Sequence, residues 1–113
     1  MLRVANKDAR SHVMWRKEFQ GSNTKGMWIG EEEKSDYGVY SYGRHFPLYI
    51  WSRETKQWYG NDDRYSRTTS KHKSQLMPTD KNSITWLNTA QMLRIEHVGV
   101  VGFIKEKVSG LTI

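Results

Sequence analysis

The chain has 113 residues, of which 36% are hydrophobic and 12% aromatic, so it is read as one domain, residues 1–113, whose core leans on rings. Its 18 Lys and Arg against 12 Asp and Glu give a formal net charge of +6, which favours polyanions or acidic protein surfaces as partners. The absence of Cys excludes disulfides, thiolate nucleophiles and Cys-based metal sites, and no apolar run reaches the ~18–20 residues of a membrane helix, so a cytoplasmic protein with no membrane partner is expected.

In chain order, Ala5, Ala9, Val13 and Trp15 fall near helical spacing and predict one amphipathic helix from Val4 to Phe19, ended by the breakers Gly21, Ser22 and Asn23. Met27 to Ile29 is a short apolar run expected as a first strand, and Glu31, Glu32, Glu33 and Lys34 form a self-repelling run expected in a solvated turn. Tyr37 to Tyr42 and Phe46 to Trp51 are rich in aromatic and β-branched residues and read as a hairpin. Pro47 cannot donate to a ladder, which puts it at a strand start or an edge. Gln57 to Tyr59 predicts a third strand of a meander.

Beyond this, Thr68 to Met77 predicts a short helix capped by Thr68 or Thr69 and stopped by Pro78. Ile84, Leu87, Gln91 and Ile95 are spaced as one face of a third helix, ended by Gly99, with Val100 to Ile104 as a closing strand. The fold class expected is therefore α+β: a small antiparallel sheet of three to five strands packed with about three helices.

Charge is concentrated locally. Arg64, Arg67, Lys71 and Lys73 occur with no acid between Arg64 and Thr79, and they are interleaved with Thr68, Thr69, Ser70 and His72. Hydroxyls, cations and an imidazole in one run suit the binding of oxyanions, with the hydroxyls orienting and the cations neutralising. The same residues also serve as helix caps, turns and a solvated face. Tyr40, Tyr42, Trp51 and Trp58 are candidate aromatic contacts, either a stacking platform for unpaired bases or core. His45 and His72 are a candidate acid and base pair for metal-independent phosphodiester cleavage, against a purely structural role for both. The four His residues lack paired ligand spacing and no Gly-rich phosphate loop occurs, so no metal and no cofactor are expected.

Val39-Tyr40-Ser41-Tyr42-Gly43-Arg44-His45-Phe46-Pro47-Leu48 and Tyr65-Ser66-Arg67-Thr68-Thr69-Ser70-Lys71-His72 resemble a family of small bacteriophage proteins of uncharacterised function, which share V-Y-S-Y and Y-S-x-T-T-S-(R/K)-H. The resemblance covers roughly residues 37–75, and Lys73 stands where Gln is more usual. It implies a phage accessory protein in the host cytoplasm and brings no catalytic residue with it. Two functional expectations follow: a non-enzymatic module binding nucleic acid or an acidic protein surface, or an inhibitor of a host or antiviral-defence protein, anti-CRISPR-like. The phosphodiesterase through His45 and His72 is a third.

Overall fold

The computed structural model describes residues 2–30, 35–43, 46–64 and 66–111. Six strands hydrogen-bond in sequence order: β1 Phe19–Gln20, β2 Thr24–Trp28, β3 Tyr37–Ser41, β4 Pro47–Ser52, β5 Gln57–Asn61 and β6 Ile84–Leu87. β1 to β5 form an antiparallel meander, whereas β6 runs parallel to β5. Parallel neighbours need a crossover, and α2 (Arg67–Gln75) supplies it between β5 and β6. The sheet is thus mixed and six-stranded, wider than the antiparallel sheet of three to five strands expected.

Register lays the rings across one face. Trp28 opposes Tyr37, Tyr37 opposes Trp51, Trp51 opposes Trp58 and Trp58 opposes Ile84, so one aromatic row crosses four strands and ends on β6. The parallel row beside it runs Gly26, Val39, Tyr49, Gly60, Trp86. This face packs Ala9 and Val13 of the N-terminal segment and Leu76 after α2. On the opposite face, Ile50 packs against Met92, Ile95 and Val100 of α3 (Thr89–Leu111). Pro47 opens β4, which leaves its missing N–H outside the ladder interior.

Three sequence expectations are corrected. The helix predicted over Val4–Phe19 is replaced by a 3-10 turn at Asn6–Asp8, a short α1 (Arg10–Met14) and then β1. Arg16 adopts φ 54°, and the N–H groups of Lys17 and Arg16 donate to the carbonyls of His12 and Val13, a Schellman ending that stops α1 without a glycine. Ile84 to Leu87 is strand rather than helix, because pairing with β5 outweighs the helical spacing. α3 begins only after Asn88, which forms a reciprocal capping box with Gln91: Gln91 N–H donates to Asn88 Oδ1 and Asn88 N–H to Gln91 Oε1. Val100 to Ile104 is helical, not a strand. Gly99 interrupts α3 at φ 78°, ψ 167°. Arg94 and Glu106 would be ~18 Å apart along a straight helix of twelve steps. They form an ion pair, so the helix folds back at Gly99. The acidic turn Glu31 to Lys34, with Arg44, His45 and Tyr65, lies outside the described residues. Among the described residues no helix is long and apolar enough to cross a membrane.

Candidate anion-binding cleft

The β5–α2–β6 crossover leaves a cleft between α2 and the edge strand. α2 starts at Ser66, whose Oγ accepts from the Thr69 N–H at 3.1 Å, a side-chain N-cap in place of the Thr68 or Thr69 cap expected. Its 3.6-residue period then divides the basic run. Thr69 and His72 turn inward and are buried, while Arg67, Ser70 and Lys73 face the cleft. Thr68 and Lys71 are exposed but do not line it.

The cleft consists of two adjoining cavities. One, of about 300 Å³, is lined by Asp62, Arg64, Ser70, Lys73, Met77, Lys81 and Trp86. The other, of about 530 Å³, is lined by Arg64, Ser66, Arg67 and Ser70. Arg64 and Ser70 line both, so the two lie side by side. Lys81 and Trp86 come from the far side of the crossover. Sequence reading missed both as site residues, because nothing near position 64 in the chain points to them. Trp86 is fixed: its Nε1 donates to the Lys81 carbonyl at 3.2 Å, and its ring meets Tyr49 edge-on at 6.2 Å between centroids.

Lys73 is half-buried. Its Nζ donates to the Asn61 carbonyl at 3.1 Å and lies 5.9 Å from the centre of the Trp86 ring. Burial pushes its pKa down, Arg64 pushes the same way, and Asp62 and Asp63 oppose. Asn61, itself buried, donates through Nδ2 to the carbonyl of Pro47 and to Thr89 Oγ1, tying the cleft floor to β4 and α3. Asp63 is directed elsewhere: Oδ2 accepts the Thr89 N–H at the start of α3, and hydrogen bonding from Thr89 holds its carboxyl below the ordinary range. Asp62 is the acid in the cleft wall. Among the described residues, the Arg64 and Arg67 side chains make no hydrogen bond and no ion pair, so their charges face the solvent in the cleft.

His72 is 5% exposed, with Nδ1 2.9 Å from Ser41 Oγ. Burial lowers its pKa, with Lys71 adding to the shift, so the neutral ring serves as a packed link between α2 and β3. His45, the other member of the candidate acid and base pair, lies outside the described residues. Of the four candidate aromatic contacts, Tyr40, Trp51 and Trp58 lie in the core and Tyr42 is 47% exposed, its ring 5.8 Å from that of His72. Trp51 is instead covered by cations, with Arg16 at 4.2 Å, Arg53 at 5.2 Å and Lys56 at 5.8 Å from its ring centre. Among the described residues, no group of three or more His, Asp or Glu is placed to hold a metal ion.

Compared with protein-family models, with curated proteins and with solved structures, the chain matches none.

Proposed function

We propose that the protein is a non-enzymatic binding module whose cleft docks an anionic partner, nucleic acid in preference to an acidic protein surface. The observation that carries this reading is the convergence of Arg64, Arg67, Lys73 and Lys81 on two adjoining cavities that also present the Ser70 hydroxyl and the Trp86 ring. Guanidinium groups free of internal partners bind phosphate oxygens through paired N–H donors, and nearby hydroxyls fix the orientation. The test is fluorescence anisotropy with labelled oligonucleotides. The double variant Arg64→Ala/Arg67→Ala removes two side chains that make no hydrogen bond among the described residues, so its fold should hold while affinity drops by roughly tenfold or more, given ~1–3 kcal/mol for charge-assisted contacts. Unchanged affinity would reject the cleft as the binding surface.

A second reading, docking on a host or antiviral-defence protein as its inhibitor, is favoured by a different surface. Trp15 is 71% exposed and Met14 beside it 43%, and exposed Trp is a frequent interface anchor. A nuclease-treated lysate separates the two. A stoichiometric protein that Trp15→Ala releases supports inhibition, and loss of every partner on nuclease treatment counts against it.

A further inference from the structure

The two cavities differ in chemistry. The one holding Trp86 has an indole and the Met77 side chain in its wall, together with Asp62, Lys73 and Lys81. Among the described residues, the one beside it is lined by Arg64, Arg67, Ser66 and Ser70. The wall that carries the ring thus adjoins a site for negative oxygens, with Arg64 and Ser70 lining both cavities. That order, planar ring and then oxyanion, is the repeat of a nucleotide chain.

We infer that the cleft takes single-stranded nucleic acid, with an unpaired base against Trp86 and the adjoining phosphate between Arg64, Arg67 and Ser70. This rests on the anion-binding reading above. In a duplex the bases are stacked on one another and offer only their edges in the grooves, so an indole set between a helix and a strand meets a base face only when the strand is unpaired. Trp86 is already held in place, by its hydrogen bond to the Lys81 carbonyl and by its contacts with Tyr49 and with Gly60 beneath it, so binding costs little ordering of the ring.

The test uses anisotropy on the full chain with four probes: a short labelled oligothymidylate, a duplex of equal length, the same strand built of abasic sites, and unlabelled tripolyphosphate as competitor. The unpaired strand is expected to bind about 5- to 150-fold tighter than the duplex and the abasic strand, the range of one stacked base. Trp86→Ala should remove that advantage and leave abasic-strand binding and tripolyphosphate competition intact. Trp86→Phe keeps a ring on Gly60 and should retain most of the advantage, which keeps the experiment readable if Trp86→Ala fails to fold. Equal affinity for the three strands, lost on Arg64→Ala/Arg67→Ala, overturns the single-strand assignment and leaves the anion site standing. No binding by any probe, tripolyphosphate included, overturns both.

Discussion

Trp86 of β6 rests on Gly60, its register partner on the parallel strand β5: a Cβ at position 60 would stand 2.7 Å from Cζ3 of the indole and 2.8 Å from Cγ2 of Ile84. No side chain fits there without moving the ring. The glycine thus places the aromatic wall of the cleft, and a residue that touches no ligand sets the shape of the site.

Gly60→Ala is accordingly expected to destabilise the fold by about 1–3 kcal/mol through overpacking. It should also weaken binding of an unpaired strand more than binding of tripolyphosphate, because the indole is displaced while Arg64 and Arg67 are untouched. Thermal melts and the same competition assay check the two halves. Wild-type strand affinity in a folded Gly60→Ala variant would show that the position of Trp86 does not matter.

The buried His72 makes stability depend on pH. Desolvation, helped by the positive charge of Lys71, holds its native pKa below the ordinary 6.5. Between that depressed value and 6.5 the unfolded chain binds the proton and the native chain does not, so stability rises with pH there. The contribution is complete above about 6.5 and is lost as pH falls through the native value. Melting temperature should therefore fall on acidification from neutral pH more steeply in wild type than in His72→Gln, which cannot titrate. Asp63 acts in a separate, lower window: its depressed native pKa stabilises above the ordinary carboxyl value and the effect is lost below it. Parallel melting curves for wild type and His72→Gln would remove His72 from the account.

Gly99 holds a conformation (φ 78°, ψ 167°) that is essentially confined to glycine. Gly99→Ala should cost about 1–3 kcal/mol and uncouple Arg94 from Glu106, since their ion pair depends on the helix folding back. Matched melts of Gly99→Ala and Arg94→Ala measure this. The glycine variant should be the more damaged, because the exposed ion pair itself contributes little.

The hairpin of β3 and β4, the strand β5 and the helix α2 were legible in the sequence, because dense aromatic runs and a Pro-terminated polar helix announce themselves locally. What was illegible depends on distant partners or on unusual backbone. Arg16 ends α1 with a positive φ that sequence rules assign to glycine or asparagine. Ile84 and Leu87 are spaced like a helix face, and only the partner strand β5 makes them a strand. The β-branched run at Val100 and Val101 reads as strand, yet Val100 packs within the α3 cluster and the helix resumes after Gly99. The site divides in the same way. Arg64, Arg67 and Lys73 stand out in the composition of one segment, whereas Lys81 and Trp86 reach the cleft only through the crossover. Lys71, equally prominent in the sequence, is rotated off the cleft by the helical period.

Cations lining the cleft that neutralise the phosphates of a bound strand release counterions on binding, so affinity depends on salt. With Arg64, Arg67, Lys73 and Lys81 engaged, log Kd for an unpaired oligonucleotide should rise against log salt with a slope of about 3, and Arg64→Ala/Arg67→Ala should lower that slope by roughly 1.4. A slope near zero, or one that the double variant leaves unchanged, would mean that these cations do not meet phosphates.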